Sequence, residues 1–275
     1  MKRVQVRRTS SLPYFVLGII VTFVLAPFVW PFAASLDGQA TLYPRWPWPP
    51  TFRNFVRAFQ EYDAIVLVAN SVLLAASTAS LVVITCALAG YSLSRLRCWW
   101  KQHLLYGILL TRIVPPIAIV VPLYSLFIPL GLVDTPWGVI LVLTALNTPL
   151  GLWILKTFFD TIPIELEEAA WLDGASRFQS LFRIVFPLAG PGVGTAALFS
   201  FIEAWGNFLV PLILVSSPNQ RPLSIGLFQA FVSYTKVDYG FLAAASLLYM
   251  APPVLLFIFT RRRLIRALGG GGLRE

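Results

Sequence analysis

Residues 165–176 read ELEEAAWLDGAS, and this polar stretch stands between long apolar segments of a 275-residue chain. It holds four of the twelve acidic residues, namely Glu165, Glu167, Glu168 and Asp173. Carboxylates are expensive to place in lipid, so the stretch belongs in water beside the apolar segments. We expect such a water-exposed segment of a membrane protein to contact another protein.

The composition places the rest of the chain in lipid. Hydrophobic residues make up 57% and charged residues 12% of the sequence, whereas soluble domains are about 25% charged. A bilayer core needs about 20 apolar residues per helix, and backbone polar groups in lipid must bond within the helix. The sequence therefore predicts an all-α integral membrane protein with six transmembrane helices. The predicted spans are Leu12–Leu36, Ile65–Leu93, Leu104–Leu130, Trp137–Phe158, Leu188–Val215 and Tyr239–Thr260.

The basic residues indicate how the chain is oriented. Most of them fall in alternate connecting segments: Lys2, Arg3, Arg7, Arg8, Arg95, Arg97, Lys101, Lys156, Arg177, Arg183, Arg261, Arg262, Arg263, Arg266 and Arg274. The other segments hold only Arg45, Arg53, Arg57, Arg221 and Lys236. By the positive-inside rule, both termini and the acidic stretch face the cytoplasm. The net charge of +9 is thus spread along the membrane edges, and we expect it to meet anionic lipid rather than nucleic acid.

Other features suggest one membrane domain without a metal site. The first apolar run is about 20 residues long, longer than the 7 to 15 of a cleaved signal, so we expect a retained first helix. Cys86 and Cys98 are interpreted as packing residues, and His103 has no second ligand at a suitable spacing. We expect one domain over residues 1–275, with a core at about 65–262.

Local signals in the polar stretch predict a helix, a turn and a second helix. Pro163 suits a first helical position, and Glu165 and Glu168 suit the positive end of a helix dipole. These two acids share a face with Leu172, and Gly174 provides a stop.

The second helix is predicted from Ser176, which has capping-box spacing to Gln179, and Pro187 should end or bend it. Its apolar positions should form one face against the protein's own underside: Phe178, Leu181, Phe182 and Val185. These signals alone leave a self-packed amphipathic loop as an equal alternative to a docking platform.

Polar groups inside the spans are candidates for a solute pathway. Glu203 is an ionisable residue in the fifth predicted span, and Asn207 lies one turn later on the same side. Tyr124 and Asn147 are weaker candidates, and for Asn147 a structural hydrogen bond between helices is the stronger interpretation. Pro115 and its neighbours kink the third span, which is as compatible with a gate as with a structural bend.

The segment from Ile162-Pro163 through Glu168-Ala169-Ala170, Asp173-Gly174-Ala175, Ile184 and Pro187 resembles the EAA loop of bacterial ABC importer permeases. Weaker similarities lie along the chain in the same order as in sugar-importer permeases akin to the smaller membrane subunit of the maltose transporter. Examples are Gly90-Tyr91-Ser92-Leu93-Ser94-Arg95 and Gly131-Leu132-Val133-Asp134. The loop corresponds to residues 159–187.

The resemblance implies a function and a set of partners. The chain would form half of a carbohydrate pathway as a heterodimer with a second permease, served by two cytoplasmic ATPase subunits and an extracytoplasmic binding protein in a bacterial inner membrane. ATP and Mg would bind the ATPase, since this chain has no Gly-x-x-x-x-Gly-Lys-Ser/Thr phosphate loop. The implied coupling residues are Glu165, Glu168, Ala169, Ala170, Leu172, Asp173 and Gly174.

Three alternatives stay open at the level of sequence. The solute could be something other than a sugar. A multi-span enzyme would require a cluster of catalytic groups near an interface, and a secondary transporter would carry intramembrane charge relays or inverted repeats. The single histidine and the lack of a visible repeat disfavour both of these classes.

Overall fold

The computed structural model describes residues 12–61, 63–232 and 237–269, and its description leaves out the side chains of residues 61, 230 and 261–269. Its helices are α1 Leu12–Ser35, α2 Arg53–Glu61, α3 Ala64–Arg95, α4 Lys101–Leu110, α5 Pro116–Phe127, α6 Pro136–Asp160, α7 Glu165–Leu172, α8 Arg177–Ser180, α9 Phe186–Leu188, α10 Gly190–Gly206, α11 Leu209–Leu214, α12 Leu223–Val232 and α13 Tyr239–Gly269. The basic clusters near both chain ends and Lys236 lie outside the described side chains.

Within the described part of the chain, four helices are long and apolar enough to cross a bilayer: Leu12–Ser35, Ala64–Arg95, Pro136–Asp160 and the Tyr239–Thr260 part of α13. They coincide with the first, second, fourth and sixth predicted spans to within two residues. The all-α architecture is thereby confirmed.

The third and fifth predicted spans are broken helices. Lys101–Ile113 and Pro116–Phe127 meet at 89°, because Val114 and Pro115 leave the helical conformation before Pro116 opens α5. Arg177–Leu188 and Gly190–Gly206 meet at 79°, with the break at Ala189. The count of six spans stays a prediction, since it requires each bent pair to cross the bilayer once.

The fifth span also ends earlier than predicted. Its helix stops at Gly206, and Asn207 and Phe208 separate it from the short helix α11. Glycine and asparagine both favour helix ends over helix interiors, which explains why the apolar run to Val215 is not one helix.

The described residues form two compact units, one of residues 12–61, 230–232 and 237–248 and the other of residues 63–229 and 249–269. In the larger unit α3, α6 and α10 pack on one another around two apolar clusters. The first cluster includes Leu74, Leu143 and Leu214, and the second includes Cys86 and Phe159.

Glycines allow these helices to approach closely. A Cβ atom at Gly151 of α6 would lie 2.6 Å from a methyl carbon of Val82 on α3. A Cβ atom at Gly192 of α10 would lie 2.4 Å from the Phe158 ring of α6. Small residues are the usual means of close helix packing in membranes, and here they bring the three central helices together.

The smaller unit is fastened by polar contacts. The Asn54 side-chain amide donates to the carbonyl oxygens of Ser35 and Asp37 at 3.0 and 2.9 Å. Arg45 pairs with Asp37 at 2.5 Å, and Arg57 pairs with Asp238 at 2.5 Å. These contacts join the end of α1, the following loop, α2 and the approach to α13.

Candidate functional site

The acidic stretch folds as the helix and turn that the sequence predicts. The helix α7 begins at Glu165, two residues after Pro163, so the prediction that Pro163 occupies the first helical position is wrong by that margin. At the other end, Gly174 has φ +89°. Its N–H donates to the Trp171 carbonyl at 3.0 Å, and the next N–H, of Ala175, donates to the Ala170 carbonyl at 2.9 Å. This is the hydrogen-bond pattern of a Schellman turn.

The second helix is capped as predicted. The Ser176 hydroxyl accepts from the Gln179 N–H at 3.2 Å, and the Gln179 side-chain oxygen accepts from the Ser176 N–H at 2.8 Å. Beyond Ser180 the chain forms a π-helical turn over Leu181–Val185. The Arg177 guanidinium lies 4.8 Å from the Trp171 ring centre, which links the two helices across the turn.

The predicted apolar face of the second helix is only half correct. Leu181 and Val185 are buried in the second cluster, but Phe178 and Phe182 are exposed and contact each other with ring centres 4.6 Å apart. The π-helical turn changes the angular spacing of the side chains, so the four residues do not share one side. The exposed aromatic pair lies beside the turn and adds to the surface around α7.

Most predicted coupling residues are exposed on this surface. Leu172 is 90% exposed, which is an extreme value for a leucine that lies outside the membrane-spanning helices. Ala170 is partly buried. The exposed residues of the set are Glu165, Glu168, Ala169, Leu172, Asp173 and Gly174.

Glu167 behaves differently from its acidic neighbours, and sequence reasoning did not single it out as a site residue. Its side chain is 0% exposed. The Arg95 Nε donates to its Oε1 at 2.6 Å, and the Tyr91 hydroxyl donates to its Oε2 at 2.5 Å. The partners are 72 and 76 residues away in the chain, so no local pattern could have revealed the contact.

The surrounding groups extend this contact into a network. Arg95 Nη2 also donates to the Ile162 carbonyl at 3.1 Å, and the Ser94 hydroxyl donates to Asp160 at 2.7 Å. Lys156 pairs with Asp160 at 2.5 Å. The end of α3 is therefore bonded to the end of α6, to the connecting segment and to α7.

A cavity of about 230 Å³ contains three of the four predicted pathway residues. Glu203, Asn207 and Asn147 line it, together with residues at the break between α4 and α5. Tyr124 is not among its lining residues and is partly buried against the first apolar cluster. The Asn147 amide donates to the Leu143 carbonyl of its own helix at 2.8 Å, so its hydrogen bond is within the helix and not between helices.

Arg112 also lines the cavity, and sequence reasoning missed it. Its Nη2 lies 3.4 Å from Oε2 of Glu203, and the two side chains are 35% and 50% exposed. The sequence carries the same signal at both positions, because an arginine inside the third predicted span is as costly as Glu203 in the fifth. The cavity thus offers a guanidinium, a carboxylate and two amides, which together donate and accept hydrogen bonds.

The opposite end of α3 from Arg95 holds the loop that precedes α12. The Asn70 amide donates to the carbonyl oxygens of Asn219 and Arg221 at 2.8 and 3.0 Å. The Ser71 hydroxyl accepts from the Leu223 N–H at 2.8 Å.

Asp134, in the segment just before α6, bonds to the same loop. It accepts from the N–H groups of Ser216 and Ser217 at 2.9 Å each and from the Ser217 hydroxyl. The Ser217 hydroxyl bond is the main reason that the pKa of Asp134 is lowered.

Comparison with known proteins gives a family and several relatives. The family model "Binding-protein-dependent transport system inner membrane component" matches residues 82–269. The sulfoquinovosyl glycerol transport system permease protein SmoH of Agrobacterium fabrum is 30% identical over 269 residues, which are 96% of this chain and 94% of that protein. The maltodextrin permease MdxG of Bacillus subtilis is 32% identical over 82% of this chain and 81% of its own. The trehalose permease SugB of Mycobacterium tuberculosis is 30% identical over 93% and 94%.

A solved structure has the same fold. A chain from the crystal structure of a bacterial ABC transporter that imports the acidic polysaccharide alginate superposes with a TM-score of 0.78 at 20% identity, over 91% of this chain and 94% of that one. A second structure, of an alginate transporter with its alginate pentasaccharide-bound periplasmic protein, gives a TM-score of 0.66 at 15% identity, over 92% and 94%.

Proposed function

Because the chain belongs to the family of binding-protein-dependent transport system inner membrane components, we propose that it is the permease subunit of an ABC importer for a carbohydrate. It forms part of the translocation pathway, and ATP is hydrolysed by a separate subunit. The similarity to SmoH across 96% of the chain carries this conclusion, and the maltodextrin and trehalose permeases support the same class of solute.

The acidic helix α7 is the proposed contact with the ATPase. Its exposed face presents Glu168 and Glu165 to a basic partner surface, while Ala169 lets a partner backbone come close. A charged hydrogen bond at such an interface contributes about 1.5 to 3 kcal/mol. The exposed pair Phe178 and Phe182 adds apolar contact area beside the charged groups.

The proposed assembly contains three kinds of partner. The permease pairs with a second permease to enclose the pathway, two ATPase subunits sit below, and a binding protein delivers the solute from outside. The bias of basic residues supports cytoplasmic termini and a cytoplasmic α7. ATP and Mg bind to the ATPase partner and not to this chain.

The cavity at the helix breaks is the proposed solute-facing part of this subunit. Glu203 accepts hydrogen bonds, Arg112 donates them, and the Asn207 and Asn147 amides contribute polar groups to the wall. A volume of about 230 Å³ is below the range of roughly 300 to 1,000 Å³ for drug-sized ligands, which suits one sugar ring at a time.

The test is reconstitution of the permease pair, the ATPase and the binding protein in liposomes. We expect uptake of a labelled sugar that requires ATP, and capture of the ATPase by this permease. Charge reversal by Glu168→Lys should weaken capture more than Glu168→Gln. Uptake driven by an ion gradient without the ATPase would contradict the assignment, as would a wild-type permease pair that never retains the ATPase.

A further inference from the structure

The helix α7 is held against the rest of the protein by a charged side chain. Of the eight residues of this helix, Glu167 alone is buried, and its side chain has no exposed surface. Surface helices are normally held by a stripe of apolar side chains. Here the buried position is filled by a carboxylate, which costs free energy to desolvate and is tolerated only with good partners.

The partners hold that carboxylate at two points. Arg95 and Tyr91 bond different oxygens of Glu167, at 2.6 and 2.5 Å. Arg95 bonds in addition to the Ile162 carbonyl just before α7. Charge-assisted bonds of this kind are short and directional, so they fix both the position and the rotation of α7 relative to the end of α3.

The helix that carries these partners is fastened at its other end as well. With 32 residues, α3 is about 48 Å long. At the end of its second turn, Asn70 and Ser71 bond the loop between Asn219 and Leu223. Between the two ends its buried contacts are largely apolar, in the two clusters described above.

We propose that Glu167 is a positioning residue that locks the coupling helix α7 to α3, so that α3 carries a displacement of α7 as a rod to the loop at its far end. The proposal rests on the function proposed above, in which α7 contacts the ATPase, and it assumes in addition that ATP hydrolysis displaces α7. An apolar anchor would allow α7 to slide or rotate on α3, whereas a two-point ionic lock transmits the displacement in full.

The first measurement is solute imported per ATP hydrolysed in the reconstituted transporter. For Glu167→Gln, which keeps the side-chain shape and removes the charge, we expect this ratio to fall at least about tenfold, the factor that corresponds to loss of one charged hydrogen bond. The amount of ATPase retained should stay at the wild-type level. The matched contrast is Glu168→Gln, one residue away on the exposed face, which should reduce ATPase retention.

The second measurement is the distance between spin labels at Leu73 on α3 and Leu166 on α7, in a chain carrying Cys98→Ser. Both leucines are exposed, and Leu73 lies about 33 Å along the helix from Arg95. We expect one narrow distance in the wild type and in Glu168→Gln, and a broad distribution in Glu167→Gln. Loss of fold would instead broaden every pair, including a control pair within α3.

Either of two results would overturn the proposal: a Glu167→Gln transporter with the wild-type import ratio, or a narrow wild-type distance in that variant. If Glu167→Gln fails to reach the membrane, Tyr91→Phe takes its place, since it removes only the hydroxyl. Its import ratio should also fall about tenfold, since this bond too has a charged partner, and an unchanged ratio would refute the lock. A wild-type complex that hydrolyses ATP without any uptake would instead count against the proposed function.

Discussion

Replacement of Gly174 tests the turn after α7, because two possible effects of a side chain there can be measured separately. One is backbone strain in the permease itself, and the other is misfit against the proposed ATPase partner. The residue has φ +89°, and apart from the residue itself and its two chain neighbours no heavy atom lies within 4 Å of a Cβ built there. In the permease alone, any L side chain therefore suffers only backbone strain, about 1 to 2 kcal/mol. That strain reduces the population of the intact turn about 5- to 30-fold, and by the same factor for Ala and Leu.

Hydrogen exchange at the Ala175 amide measures this population, because that amide bonds across the turn to Ala170. In the isolated permease, we expect exchange in Gly174→Ala and Gly174→Leu to be faster than in the wild type by the same factor. Gly194→Ala is the control, since Gly194 has no strained φ and no atom within 4 Å of its Cβ. Gly194→Ala should leave the exchange rate of the Ala175 amide unchanged.

The assembled transporter should distinguish the two variants. If the turn docks on the ATPase as proposed, a leucine at this position must also fit into the ATPase surface, so Gly174→Leu should import less solute than Gly174→Ala. Gly174→Asp should remain in the membrane and hydrolyse ATP without import. Normal uptake by the Leu and Asp variants would refute the docking of this turn, and wild-type exchange in Gly174→Ala would refute the strain argument.

Three further predictions follow from contacts elsewhere in the larger unit. Glu203→Gln should lower import and solute-stimulated ATPase activity about tenfold with ATPase retention unchanged; if both activities stay at the wild-type level, Glu203 is not in the pathway. Gly138→Ala would place its Cβ 2.1 Å from the Leu132 carbonyl oxygen, so it should lower the free energy of unfolding in detergent by about 1 to 3 kcal/mol. Gly107→Ala, which has open space for a Cβ, should leave that free energy unchanged. Equal effects of the two variants would contradict the packing argument. The lowered pKa of Asp134 means that its stabilising effect is present above the unfolded pKa of about 3.9 and is lost as the pH falls through the lower folded value. Asp134→Asn should therefore be less stable than the wild type at neutral pH, and its thermal midpoint should fall by less than that of the wild type between about pH 5 and pH 3. Identical pH profiles of the thermal midpoint would exclude this role.

The periodic and local features of this fold could be predicted from the sequence. The four long helices match apolar runs because burial in lipid depends on length and hydropathy alone. The capping box at Ser176 and the turn at Gly174 were also predictable, since each depends on residues within a few positions of one another.

Features that depend on distant residues were not predictable in this way. The lock at Glu167 needs Arg95 and Tyr91, which lie on another helix. The prolines at 115 and 116 predicted a kink, but the angle of 89° is set by packing around the break. Arg112 is a different case, because the rule that identified Glu203 applies to it equally.

Two helix ends at the cavity have an electrical consequence. Val114 and Asn207, the residues that end the Thr111–Ile113 turn and α10, both line the cavity. The carboxyl end of a helix carries a partial negative charge of up to about half an elementary charge, and Glu203 adds to it. Arg112 is the nearby cation that offsets this potential. Without it, the cavity would keep an uncompensated negative potential, which favours cations.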